Sequence, residues 1–205
     1  MFTIKTFPVG SIATNCSLVY FDDEKLLLVI DPGADGAEII AAASKSFPFE
    51  KARILLTHAH VDHISACGEV AKALNVEKVE VSPADAAMYS SPENCFFPYF
   101  PPAKDLPQAT GFAPLPCGKV LALPGHTMGG CGFLFDDGKK QTLIAGDTIF
   151  CGSIGRTDLP GGDYETLINS IKNEILTLPD DVEIISGHGG STTVGFERKH
   201  NPYLN

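Results

Sequence analysis

The segment that most constrains this fold is Ala52-Arg53-Ile54-Leu55-Leu56, followed at once by Thr57-His58-Ala59-His60-Val61-Asp62-His63. A short apolar run with few polar residues is the pattern of a buried strand. The strand runs into three histidines and an aspartate within six positions, in a chain that has only six His in all. With a helix expected over about 65–75, the cluster falls in the turn at the C-terminal end of a strand, where side chains can be aimed into a cleft. Imidazole and carboxylate together suit borderline divalent metals. One zinc-like ion at a catalytic site takes about three protein ligands plus water. Four donors in six residues, with alternating side-chain directions, therefore fit two adjacent ions better than one. The competing reading is a polar loop with chance histidines, and the concentration of half the chain's His in this loop weighs against it.

The rest of the chain alternates strands and helices. Strands are expected over 2–7, 16–21, 26–30, 52–56, 76–81, 119–123, 131–135, 142–145 and 182–185. Helices are expected over 36–46 and 65–75, near 84–89, over 163–177 with Asp163 as its N-cap, and over about 195–200. This is an α/β chain, and 205 residues with 44% apolar and 20% charged composition suit one domain spanning 1–205. The six cysteines lie far apart with no CxxC pair, which reads as reduced, mostly small core residues in a cytoplasmic protein. No run is long enough to span a membrane, and the start Met1-Phe2-Thr3-Ile4-Lys5 lacks the layout of a secretion signal. That argues against an enzyme working outside the cytoplasm. The formal net charge of −10 repels phosphate backbones, so the expected partner is a small molecule, with neither nucleic acid nor membrane. Oligomeric state is left open.

The stretch from about 82 to 116 differs in character. It holds eight prolines, among them Pro101 and Pro102, and the aromatic run Phe96-Phe97-Pro98-Tyr99-Phe100. That proline density argues against regular structure beyond one short helix. The stretch is too apolar for a solvated linker, so it is either a folded flap over the site, with Phe97 or Tyr99 lining a substrate channel, or a satellite core on the sheet edge.

Three further strand ends display single donors beside glycines: Gly125-His126-Thr127, Gly146-Asp147-Thr148 and Gly187-His188-Gly189. Asp31-Pro32-Gly33 forms another strand-end turn, and Asp31 there either ties down its turn or a neighbouring His, or is itself a ligand. Taken as a set, HxHxDH at 58–63, then His126, Asp147 and His188, resembles the metallo-β-lactamase-fold hydrolases across nearly the whole chain. The resemblance implies a four-layer αβ/βα sandwich with two divalent metal ions, zinc foremost, with iron or manganese as alternatives. It implies that His58, His60 and His126 bind one ion, that Asp62, His63 and His188 bind the other, and that Asp147 bridges them. Asp62 would also orient the attacking hydroxide. His200 matches no motif.

The flanks narrow the resemblance. Thr14-Asn15-Cys16, Ala145-Gly146-Asp147-Thr148-Ile149-Phe150, the run from Gly152 through Arg156-Thr157-Asp158 to Asp163, and Glu197-Arg198-Lys199-His200-Asn201-Pro202-Tyr203-Leu204 are similar to the glyoxalase II-like branch, in its short bacterial form. That branch implies hydrolysis of thioesters such as S-lactoylglutathione. The chain departs from the longer members in lacking a C-terminal helical domain that helps to hold glutathione, and in carrying Arg156 and Asp158 where those enzymes have a lysine and a tyrosine. Arg156 either grips a substrate carboxylate or pairs with Asp158 to brace its loop. Arg198 and Lys199 are the other candidate substrate cations. Gly-Arg-Thr-Asp also occurs in the mono-iron persulfide dioxygenases of the same fold, the first alternative. A phosphodiesterase or lactonase type is the second.

Overall fold

The computed structural model describes residues 1–96 and 98–204, which fall into two compact units, Met1–Ala113 and Pro114–Asn205. In the first, six strands pair in chain order: β1 (Phe2–Val9), β2 (Thr14–Phe21), β3 (Leu26–Ile30), β4 (Lys51–Leu55), β5 (Lys78–Glu80) and β6 (Gln108–Thr110). The first three run antiparallel as a meander, and β3 through β6 run parallel. Parallel neighbours need crossovers. These are supplied by α1 (Gly36–Ser46), by α2 (Val61–Ile64) with α3 (Cys67–Ala73), and by α4 (Ala86–Tyr89). β3 is buried at all five positions, as its uninterrupted Leu-Leu-Leu-Val-Ile dictates. Leu18, Leu27, Val29 and Ile54 of the sheet pack with Ile39 and Ala43 of α1 and Val70 of α3. Each such aliphatic side chain removed from water contributes about 1.5–3 kcal/mol.

The helix expected over 65–75 is α3, and the turn expected before it holds the extra short helix α2, which carries Asp62 and His63; the two are separated at Ala66. The Ala66 N–H donates to Pro32 O at 2.9 Å instead of continuing the helical ladder. Gly33 explains the neighbourhood: a Cβ there would lie 1.6 Å from Asp62 O, so only glycine lets the strand-end turn press against α2. The break thus anchors the Asp62 backbone to the turn that carries Asp31.

The proline-rich stretch is more regular than its composition suggests. Besides α4 it holds a 3-10 turn (Pro92–Asn94) and the edge strand β6, which begins directly after Pro107. Proline is tolerated beside a short edge strand because its missing N–H is not needed there. Tyr89, 1% exposed, donates its hydroxyl to Pro107 O at 3.0 Å, and the Asn94 side chain joins Tyr89 O to Ala103 N. Ala86, Met88, Ala103, Leu106 and Ala109 pack on the sheet core. The parts of the stretch on either side of the aromatic run therefore belong to the core.

The second unit contains the sheet β13-β12-β9-β8-β7, built from β7 (Gly118–Ala122), β8 (Cys131–Asp136), β9 (Gln141–Gly146), β12 (Glu183–Ser186) and β13 (Thr192–Thr193). A separate hairpin, β10 (Ile149–Phe150) with β11 (Ser153–Ile154), follows β9. Helix α5 (Tyr164–Ser170) begins at Asp163, whose side chain accepts from Thr166 N as expected of an N-cap, and it continues as a π-helical turn (Ile171–Ile175). Helix α6 (Val194–His200) is capped by Thr193. Leu121, Leu143 and Ile184 pack with Leu167, Ile171 and Ile175. No helix among the described residues is long and apolar enough to cross a membrane.

Candidate metal centre

Each unit assembles its own share of the donors. In the first, the chain leaving β4 places His58, His60 and His63 in a buried cluster, with ring centroids 4.8 Å apart for His58 and His60 and 4.1 Å for His58 and His63. Ligand atoms of His58 and His60, of His58 and His63, and of Asp62 and His63 lie within 4.8 Å of each other. Backbone direction alone does not fix how imidazoles point, and here hydrogen bonds do so. Asp31, 1% exposed, accepts from Thr57 N at 2.8 Å, Thr57 Oγ1 at 2.6 Å and His63 Nδ1 at 2.9 Å. The Thr57 hydroxyl, having given its proton to Asp31, accepts from His58 Nδ1 at 3.1 Å. These bonds assign the proton of both rings to Nδ1 and the lone pair to Nε2, the ligating arrangement that a carboxylate or carbonyl behind a metal-binding histidine secures. Asp31 is thus the tie rather than a direct ligand. It holds a left-handed backbone (φ 53°), a strained conformation of the kind that persists where surrounding structure enforces it.

The second unit repeats the logic. His126 Nδ1 donates to Arg156 O at 2.7 Å, leaving the lone pair on Nε2. Gly155 makes this approach possible, since a Cβ there would meet Asp147 O at 1.8 Å and the His126 side chain at 3.4 Å. The Asp147 Oδ2 atom lies 3.7 Å from His126 Nε2 and 3.5 Å from His188 Nε2. In the first unit, His63 Nε2 stands 3.4 Å from Asp62 Oδ2. These separations lie beyond good hydrogen-bond length. They match the edge of a tetrahedral shell, about 3.4 Å for metal–ligand bonds of about 2.1 Å. Lone pairs held at that spacing from carboxylate oxygens fit a cation between them, and imidazole with carboxylate is the donor chemistry of zinc, iron and manganese. One oxygen of Asp147 faces both His126 and His188, the two histidines that the motif comparison assigns to different ions.

The cysteines stay out of this chemistry. Burial, reinforced by the charge of Asp31, pushes the Cys16 and Cys67 thiols well above their usual pKa and leaves them unreactive.

The candidate substrate residues fare differently. Arg156 makes a bidentate pair with Asp158, Nε to Oδ1 at 2.7 Å and Nη2 to Oδ2 at 2.8 Å, so its side chain braces the loop. That pair holds the Asp158 carboxyl down at about 2. Arg198 is a correction: its guanidinium donates to Leu176 O at 2.6 Å and Leu178 O at 2.9 Å and pairs with Asp180, pinning the turn after the π-helical segment. Lys199 lies exposed, 4.0 Å from the same Asp180, so it too is drawn to that turn. Tyr99 is 83% exposed and stands out in solvent instead of lining a channel. Phe97 lies outside the described residues. The aromatics near the donors are Phe96, whose ring centroid is 5.2 Å from that of His60, and Phe100, which shares a cleft with Asp62. Sequence reasoning also passed over Thr14, whose hydroxyl donates to Asp62 Oδ2 at 3.0 Å, although Thr14-Asn15-Cys16 stood out as a motif.

Mixed sheets with helical crossovers, and strand ends carrying oriented His and Asp donors, define a metallohydrolase class. The chain belongs to the metallo-β-lactamase superfamily, whose family model matches residues 9–188. It is 38% identical to hydroxyacylglutathione hydrolase GloC of Haemophilus influenzae, over 98% of this chain and 98% of that one. Among solved structures it is similar to BLEG-1 B3 metallo-β-lactamase, at TM-score 0.86 and 32% identity, covering 99% of this chain and 100% of that chain. It is similar also to TTHA1623, solved in a di-iron-bound form, at TM-score 0.83 and 32% identity, covering 98% and 100%. The fold is that of the superfamily, a mixed α/β architecture.

Proposed function

We propose that this protein hydrolyses thioesters, with S-lactoylglutathione and related hydroxyacylglutathiones as its substrates. The observation that carries the reading is the full-length similarity to a hydroxyacylglutathione hydrolase, over 98% of both chains. The donor geometry supports it. On this reading His58, His60 and His126 serve one ion, Asp62, His63 and His188 a second, and Asp147 both, as the motif resemblance implies. The di-iron form of TTHA1623 favours two ions over one. When bound, a pair of divalent ions supplies an acidified water and a Lewis acid for the carbonyl.

The chain's own residues do the rest. Asp31 and Thr57 hold His63 and His58 in the ligating tautomer, and the Arg156 carbonyl does the same for His126. Asp62, fixed by Thr14, orients the attacking hydroxide. The hydroxide oxygen adds to the thioester carbonyl carbon, the C–S bond breaks, and the proton brought by the hydroxide passes to the departing sulfur, so that a hydroxy acid carboxylate and a thiol leave. The six cysteines, none in a disulfide, suit a reducing cytoplasmic setting.

The likeness to BLEG-1 favours a second reading, β-lactam hydrolysis, and both readings face one experiment. Metal-loaded protein is assayed against S-lactoylglutathione, a chromogenic cephalosporin, and glutathione persulfide with an oxygen electrode. Thioester turnover at least a hundredfold above the other two in kcat/KM supports the proposal. Dominant lactam cleavage or oxygen consumption overturns it.

A further inference from the structure

A cleft of about 130 Å³ opens beside Asp62, within the first unit. Its walls come from the β1–β2 loop (Ile12) and the start of β2 (Thr14), from the turn after β3 (Ala34), from α2 (Val61 and Asp62) and from the end of the aromatic run (Phe100). Asp62 is the one ionisable group among the described residues lining it; the rest of the wall is apolar or hydroxylic. The wall therefore includes the carboxylate whose Oδ2 accepts from Thr14 at 3.0 Å and lies 3.4 Å from His63 Nε2. We infer that this cleft is the acyl subsite, which takes the substituent on the thioester carbonyl and selects short acyl chains. The inference rests on the thioester reading above.

Two arguments choose the acyl group over the thiol as occupant. The carbonyl carbon is the atom attacked next to Asp62, so its first substituent atoms fall at the mouth of the cleft. A glutathionyl group is a tripeptide carrying carboxylates, too large for the space and costly to bury against the apolar wall. Size then sets the selectivity. At about 30 Å³ for a group of water or methylene size, the cleft holds roughly four heavy atoms. A lactoyl substituent fills most of it, and the wall includes the hydroxylic residues Ser11 and Thr14.

The test is kcat/KM for glutathione thioesters from acetyl to octanoyl, measured on the metal-loaded wild type and on Ile12→Ala, Phe100→Ala and Ile12→Trp. In the wild type the value rises about threefold per added methylene up to roughly four heavy atoms beyond the carbonyl, then falls. Ile12→Ala and Phe100→Ala move the optimum to longer chains, and Ile12→Trp moves it toward acetyl. Near-UV circular dichroism checks the fold. If Phe100→Ala loses its packing, the two variants at Ile12, which is 40% exposed, decide the matter alone. Turnover with one unchanged chain-length profile in wild type and variants overturns the subsite while the thioester reading stands. No thioester turnover by metal-loaded wild type overturns both.

Discussion

Replacing Asp31 by Asn removes one charge and converts one acceptor oxygen into a donor at the centre of the first donor set. The aspartate accepts three bonds: Thr57 N on Oδ1, and Thr57 Oγ1 and His63 Nδ1 on Oδ2. An amide cannot satisfy all three. With its oxygen on the Oδ2 side, its NH2 faces the buried Thr57 N–H, and a buried donor left without an acceptor costs about 1–3 kcal/mol. With its oxygen on the Oδ1 side, its NH2 faces His63 Nδ1, which must then give up its proton to Nε2 and lose the ligating lone pair. Either way the metal-ready arrangement is disfavoured, and removing such a supporting partner weakens metal binding about 10- to 100-fold. That corresponds to about 1.4–2.7 kcal/mol. The assay is titration of metal-free protein with zinc against a chromogenic chelator, alongside urea unfolding of the metal-free form. Asp31→Asn is expected to lower zinc affinity by that factor and to shift the unfolding midpoint downward. Wild-type affinity in a folded variant would refute the tautomer argument.

Arg198→Ala is expected to lower stability by about 0.5–1.5 kcal/mol, because two part-buried carbonyls lose a donor, while KM for the thioester stays unchanged; a raised KM at unchanged stability would return Arg198 to the substrate. Phe133→Ala empties a fully buried site in β8 and is expected to cost about 3–5 kcal/mol in urea unfolding. The Asp158 carboxyl, held at about 2 chiefly by its bonds to Arg156, has a folded pKa below its unfolded value of about 3.9. Its stabilisation is therefore fully present above pH 4 or so and fades as pH falls toward 2. Carboxyl NMR titration reads this directly, and Arg156→Ala should return Asp158 to the ordinary range.

The sequence made the candidate metal donors legible because they stand in local motifs at strand ends, where glycines mark the turns. β3 and α1 were legible for a like reason, an uninterrupted apolar run and a clear helical period. What supports the ligands was not legible, because it comes from far along the chain. Thr14 reaches Asp62 across 48 residues, Asp31 reaches His63 across 32, and the Arg156 carbonyl reaches His126 across 30. No periodicity encodes such pairs. The proline-rich stretch misled for a different reason. Proline count suppresses expectation of a strand, yet a three-residue edge strand after Pro107 needs few ladder donors. Within the aromatic run, composition could not say that the Tyr99 ring turns outward. Charged residues near the end looked available for substrate because sequence cannot show that Arg198 already holds Leu176 O and Leu178 O.

The central claim is that one carboxylate, Asp147, serves two ions, since a single oxygen faces both His126 and His188. Metal content per chain, measured by inductively coupled plasma mass spectrometry on wild type, His188→Ala and Asp147→Ala, tests it most directly. The account predicts about two ions in the wild type, about one in His188→Ala and fewer than one in Asp147→Ala, in line with a shared ligand between two sites. Two ions retained by folded Asp147→Ala protein would contradict it.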